Sequence, residues 1–282
     1  SPESESIIIE PGVLVSEDFS VAKKFLVWAE YKPHFRWQNK EYSSIKMMNI
    51  ETKKVRTVVL KSRYFSPDIS PDANKIAVVE VTPDNQYFLT VISSFNGEVH
   101  YRIPCSNFIM RPKWTADSKS IYLIELTDNN GKQVSKYSFE NRLWEMVLQS
   151  ESADIQRIIP SNNYLFFHST KNGNDEVCVF DPVTKEEYQI SLSASGITDF
   201  CIDKNNKDII VAEYSSQGNR LGMIPIERGL WKILDTKQND ILFSEALTNQ
   251  EAVNNMAVEL PSVKYPVRPY HKLFNTLNFH SW

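Results

Sequence analysis

Six residues carry the side chains best suited to recognition chemistry: His34, Phe35, Arg36, Trp37, Arg63 and Arg111. His34 to Trp37 set a guanidinium among three rings within four consecutive positions. Arginine and large aromatics are the types that dominate interaction hot spots. A guanidinium is a planar fork of donors that matches a carboxylate in a bidentate contact. Arg36, Arg63 and Arg111 would therefore suit an anionic glycan or a peptide carboxylate. A second reading stays open: Phe35 and Trp37 fold back and plug the element they leave, and Arg111 is a solvated loop charge.

The rest of the chain carries no recognisable catalytic pattern. The five histidines, His34, His100, His168, His271 and His280, have no partner at metal-ligand spacing, and no HExxH occurs. There is no GxSxG nucleophile elbow, GxGxxG or phosphate loop, and Gly is only 8 of 282 residues. Cys105, Cys178 and Cys201 are too far apart for a CxxC or zinc pattern and read as buried free thiols. Asp128-Asn129-Asn130-Gly131 and Asp203 to Asp208 faintly resemble calcium loops but lack the Gly and Glu such loops need, so they read as hairpin turns. The expectation is no cofactor, no tightly bound metal and no catalytic residue.

Five short apolar runs must position whatever the loops bind: FLVWAE from Phe25, KIAVVE from Lys75, SIYLIE from Ser120, YLFFHS from Tyr164 and DIIVAE from Asp208. They start 50, 45, 44 and 44 residues apart and are too short and too rich in β-branched and aromatic residues for helices. A second register runs in phase: Ile45, Leu89, Val134, Val177 and Leu221, spaced 44, 45, 43 and 44. Each is followed by a polar turn and a further run: VRTVVL, VHYRI, LWEMVL, EYQISL and LWKIL. A short run and a turn precede each FLVWAE-type segment. Four strands repeating every 44 residues or so predict an all-β fold, a β-propeller of four-stranded blades. One such sheet cannot bury both faces alone, but stacked neighbours can. Ser6–Glu10 and Asp240–Phe243 read as two further strands, of a composite sixth blade or of an incomplete one. The expected organisation is a lead-in strand over 1–12, the propeller over 13–237, and an extension over 238–282 with three prolines, many aromatics and one short helix at Asn249–Val258.

The first interval is 50 residues rather than 44, and the excess falls between Tyr31 and Lys40, in the loop joining strands two and three. Departures from a repeat map to loops on its binding face. The expected site is thus that face, with the blade crossings near Arg63 and Arg111 beside it. The net charge of −4 offers no electrostatic footprint for a phosphate backbone, which disfavours nucleic acid. No apolar run is long enough to cross a bilayer as a helix. The chain opens Ser1-Pro2-Glu3-Ser4, without Met or an apolar leader, and reads as a mature form or a piece of something longer.

The stretch Ser66-Pro67-Asp68-Ile69-Ser70-Pro71-Asp72, followed by Lys75-Ile76-Ala77, resembles the repeat of TolB-like propellers, in which SPDGK precedes a strand. Trp114-Thr115-Ala116-Asp117-Ser118 is a weaker version, and Phe180 to Lys185 is similar to the family's strand-plus-hairpin. Ala73 stands where that repeat has Gly, which implies a different turn. The string from His34 to Ile45 resembles the propeller region of large outer-membrane-associated proteins of the Bacteroidetes type, and Tyr265 to Trp282 resembles their segment leading to a C-terminal β-barrel. Those proteins carry a peptidase-like N-terminal domain. The resemblance implies a bacterial envelope location, periplasmic or outer-membrane-associated. It also implies a non-catalytic binding or scaffolding module, with other domains of the parent chain and a protein, peptide or glycan ligand as partners. Two alternatives remain: a propeller that gates substrate to a peptidase domain elsewhere, and a TolB-like metal-dependent lyase using His34, His100 and His168. Their repeat positions differ in radial depth, which argues against the lyase.

Overall fold

The computed structural model describes residues 7–16, 18–34, 36, 41–128, 131–150, 154–171, 173–191 and 193–234. Over these the chain is all-β, with a single turn of 3-10 helix at Arg228–Leu230. Blade one holds β1 (Ser20–Ala22), β2 (Phe25–Pro33), β3 (Glu41–Asn49) and β4 (Val55–Ser62). Blade two holds β5 (Tyr64–Ile69), β6 (Lys75–Val81), β7 (Tyr87–Ser93) and β8 (Val99–Cys105). Blade three holds β9 (Phe108–Trp114), β10 (Ser120–Leu126), β11 (Lys132–Ser138) and β12 (Leu143–Ser150). Blade four holds β13 (Ile155–Ser161), β14 (Tyr164–Ser169), β15 (Glu176–Phe180) and β16 (Glu187–Gln189). Blade five holds β17 (Ile197–Ile202), β18 (Asp208–Ser215) and β19 (Gly218–Pro225). Within each blade sequential strands pair antiparallel, so the fold is the β-propeller that the repeat predicts.

Alternation along each strand sends residues to both faces of its sheet, and each face meets a neighbouring blade. Val27, Ala29, Ile45 and Met47 of blade one pack on Ile69, Ile76, Val78 and Ile92 of blade two. Ala77, Val79, Leu89 and Val91 of blade two pack in turn on Ile109, Ile121 and Leu123 of blade three. Tyr122, Ile124 and Val134 meet Ile155, Leu165 and Phe167, and Phe166, Val177 and Val179 meet Ile197, Ile209 and Val211. Burying one such Leu or Ile contributes about 1.5–3 kcal/mol. Among the described residues no apolar cluster joins blade five to blade one. The leading face of blade one, Leu26, Trp28 and Met48, is covered instead by Ile9 and Leu14.

Four expectations need correction. LWKIL does not add a fourth strand to blade five: β20 (Lys232–Ile233) pairs with β16, making blade four five-stranded. The reason is packing. Trp231 sits against Tyr164, Phe166 and Tyr188, and Leu234 is buried in the cluster between blades three and four. No strand forms over Ile7–Glu10; Ile9 only packs on the face of blade one, and backbone pairing is made by Val13, whose O accepts the Tyr31 N–H, and by Leu14, which bridges Glu30. Ala73 does not impose a different turn. It takes the left-handed conformation itself, at φ +63°, as Ser118 does at +57° in the equivalent turn. In both turns the acid accepts the backbone N–H two residues on, Asn74 to Asp72 at 3.1 Å and Lys119 to Asp117 at 3.0 Å. That bond offsets the cost of a Cβ at positive φ, which is about 1–2 kcal/mol. Finally, Cys178 is buried but Cys201 is exposed, because Cys201 alternates with the buried Phe200 and so lies on the face of blade five that does not pack on blade four. The expected strand at Asp240–Phe243, the helix at Asn249–Val258 and the 238–282 extension lie outside the described residues.

Candidate binding site at the propeller axis

The first strand of each blade is interrupted halfway along. Register shifts fall between Phe65 and Asp68 in β5, opposite Tyr122/Ile124 in β9, between Ile155 and Arg157 in β13, and between Ile197 and Asp199 in β17. A bulge of this kind leaves one or two residues unpaired and re-aims their side chains. At two of these breaks the chain takes positive φ at a non-Gly residue, Ser66 at +46° and Arg111 at +47°. Blade one has the widest break. Val15 N–H donates to Ala29 O, and the next described pairing begins at Ser20. Asp18 lies in that gap.

These breaks bring four charges together. Asp18 lies 3.6 Å from Nε of Arg111 and 3.7 Å from a terminal nitrogen of Arg157, while Nε of Arg157 lies 2.8 Å from Asp199. Arg111 also donates to Gln156 O at 2.6 Å, and Arg157 to Phe200 O at 3.4 Å. Asp18 belongs to blade one and the arginines to blades three and four. Side chains that skip blade two in this way can meet only across the axis, so the cluster lines the central channel. It remains reachable by solvent, with the Arg111 side chain 35% and that of Asp199 52% exposed.

The predicted site residues divide. Arg111 is not at a blade crossing: it lies inside β9, at the break, facing Asp18. Arg63 does lie at the crossing from β4 to β5, where it donates to Val81 O at 2.7 Å and Glu41 O at 3.5 Å. It ties the crossing to the ends of β6 and β3, and it has no partner in common with Arg111. His34 follows β2 and accepts the Arg36 backbone N–H at 3.2 Å, with its ring 6.2 Å from that of Tyr42; the Arg36 side chain is exposed. Phe35 and Trp37 lie outside the described residues. Sequence reasoning missed Asp18, Arg157 and Asp199. Their signal was faint: each stands next to a break that only the pairing with the second strand reveals.

His34, His100 and His168 do not converge, and among the described residues no metal-ligand cluster forms. His100 is exposed on the outermost strand of blade two, and His168 is buried on β14, its Nε2 2.5 Å from Ile197 O. A second charged knot close by is structural. Asp68 accepts from Ser20 Oγ at 2.8 Å, Lys113 Nζ at 2.8 Å and the Trp114 N–H at 2.9 Å, linking the inner strands of blades one, two and three. Away from the axis, an open groove of about 420 Å³ runs beside Asp117, Lys136, Asn141, Leu143 and Trp144 on blade three.

No protein-family profile and no curated protein sequence matches the chain. Solved structures do match in fold. TolB from Acinetobacter baumannii superposes with a TM-score of 0.54 at 18% identity, over 68% of this chain and 48% of that one. A putative TolB from Agrobacterium tumefaciens gives 0.59 at 12% identity, over 76% and 78%. A puromycin-hydrolyzing peptidase of Mycobacterium tuberculosis gives 0.54 at 11% identity, over 79% and 47%. The chain thus spans about half the length of the Acinetobacter protein and of the peptidase. At these identities the likeness is one of architecture, and the architecture is that of a TolB-like β-propeller.

Proposed function

We propose that this chain is a non-catalytic binding or scaffolding propeller of a larger bacterial envelope protein. In this reading it takes a protein, peptide or glycan on the end that carries the insert after β2, with the axial charges beneath. The observation that carries the reading is the axial cluster: two arginines held around Asp18 on interrupted strands, open to solvent, where packing alone asks for no charge. Arg111 takes positive φ inside a strand rather than in a turn, a strain of about 1–3 kcal/mol. The envelope location rests on the TolB-like architecture together with the resemblance of His34–Ile45 to outer-membrane-associated proteins.

A second reading has its own support. The puromycin-hydrolyzing peptidase shares the architecture but is about twice as long as its matched part, which suits a propeller that gates a catalytic domain lying elsewhere in the parent chain. Photo-cross-linking tests the site. A cross-linker at position 36 is compared with one at position 141, in the β11–β12 turn at the opposite end. Adducts with envelope components from position 36 and few from 141 are expected; the reverse pattern would move the site to the blade-three groove.

A further inference from the structure

We infer that Arg111 and Arg157 form a carboxylate-binding fork, and that Asp18 is the internal carboxylate that occupies it until a ligand carboxylate displaces it. The inference rests on the binding-module reading and adds the ligand's chemistry.

Three observations carry it. First, Asp18 approaches both guanidiniums but stays at 3.6 and 3.7 Å, while Arg157 meets Asp199 at 2.8 Å. Close charge-assisted bonds are about 2.7–2.9 Å. Asp18 therefore supplies opposite charge without tight hydrogen bonds, and a carboxylate that fits the fork can improve on it. Second, Asp18 lies outside any strand, between the Val15 N–H bond to Ala29 O and the pairing that starts at Ser20. The arginines are held by strands β9 and β13, and one donor of each is anchored on a neighbouring backbone carbonyl. The receptor is thus fixed and the stand-in sits on the irregular segment. Third, Arg111, Arg157, Asp18 and Asp199 sum to zero charge, so the two guanidiniums keep their balance with a ligand carboxylate only if the Asp18 side chain turns out of the cluster as the ligand enters. No bond is made or broken in the exchange.

The test uses the intact chain and three short probes: acetyl-Ala-Ala-Ala as the free acid, the same peptide as its amide, and acetyl-Ala-Glu-Ala-amide. The Nε–H resonances of Arg111 and Arg157 are followed by NMR during titration. The free acid shifts both, and the amide shifts neither. The glutamate peptide tells a side-chain carboxylate from a chain terminus, and a response to either acid supports the fork. Asp18→Asn lowers the half-saturating concentration about tenfold, since it removes the competing charge. Glu98→Gln, which deletes the same charge in the exposed β7–β8 turn, leaves it unchanged. Arg111→Gln raises it about tenfold or more, and it decides the matter should Asp18→Asn fold poorly. Equal responses to acid and amide, or equal effects of Asp18→Asn and Glu98→Gln, would overturn the fork. Cross-links from position 36 would then still support a binding module with a different ligand, whereas their loss alone would leave the fork standing.

Discussion

Leu89 in blade two and Leu221 in blade five occupy the same place in the repeat, in the third strand of their blades. Leu89 is fully buried, as are Ile45, Val134 and Val177, while Leu221 is 82% exposed. The strands are alike in length, 7 and 8 residues, and each pairs along its length with the second strand of its blade, so the local chain is not what differs. Blade three covers the face of blade two that carries Leu89, and no described residue does this for blade five. Among the described residues no strand pairs with the outer edge of β19 either, since β20 went to blade four. In a propeller the alternation belongs to each strand, but burial is supplied by the next blade.

Substitution of the two leucines is the sharpest way to break that comparison. Leu89→Ala should cost about 2–5 kcal/mol through lost transfer energy and a cavity between blades two and three. Leu221→Ala should stay within about 0.5 kcal/mol, as exposed sites do. Urea midpoints of the two variants measure the difference, and equal losses would show that Leu221 is covered.

The next effect concerns what binds the covered blades to one another. Asp68→Ala strands Lys113, Ser20 and the Trp114 N–H in a buried site. It should cost about 2–3 kcal/mol by thermal or urea denaturation, because a lost partner leaves buried donors unsatisfied. A loss below about 0.5 kcal/mol would mean that water replaces the carboxylate.

Thiol labelling sharpens the contrast without mutation. Cys178, between blades three and four, has its thiol pushed up to about 12 by burial. Cys201 on blade five is raised as well, by partial burial and by Asp199, but it is exposed. A small maleimide should label Cys201 in the native state and Cys178 only on unfolding. Labelling of both at one rate would contradict the covered and uncovered assignment.

The smallest effect is one in which the two regions should agree. Thr115 Oγ1 and the Lys119 N–H hold the Asp117 carboxyl below its ordinary value. The N–H groups of Asp208, Lys207 and Asn205 do the same for Asp203 in blade five. A depressed folded value means that the unfolded chain binds protons first, so this stabilisation is complete above the unfolded value near 3.8 and fades as pH falls through the folded one. Asp117→Asn and Asp203→Asn should therefore each flatten the fall of the melting temperature between about pH 4.5 and 2.5. If only one of them did so, these turns would depend on more than their own hydrogen bonds.

Much of the fold was legible because its signals are local and repeated. β-branched and aromatic runs such as KIAVVE and SIYLIE, at one spacing, mark strands whatever their partners. The destination of Lys232–Ile233 was not legible, because pairing with β16 rather than β19 is decided by where Trp231 and Leu234 pack, far along the chain. Ala73 misled for a related reason: the Asp72 carboxyl repays a left-handed alanine, and residue type alone does not show that repayment. Of the site, Arg111 could be picked out as a charge beside Pro112, but its facing Asp18 depends on breaks in three separate inner strands. The His34–Trp37 insert was visible as an excess over the period, whereas Asp18, Arg157 and Asp199 lie within the period and break no rule of spacing.

Hydrogen exchange read by mass spectrometry tests the central claim most directly, on the unmodified chain. Amides of Tyr87–Ser93 and of Gly218–Pro225 are compared under native conditions. The account predicts that the β7 amides, paired on both sides and covered on both faces, are protected up to global unfolding. The amides on the edge of β19 that no described strand pairs should exchange at least about a hundredfold faster, through local opening. Equal and strong protection of both strands would contradict it, since β19 would then have a neighbour on its edge and a cover over Leu221.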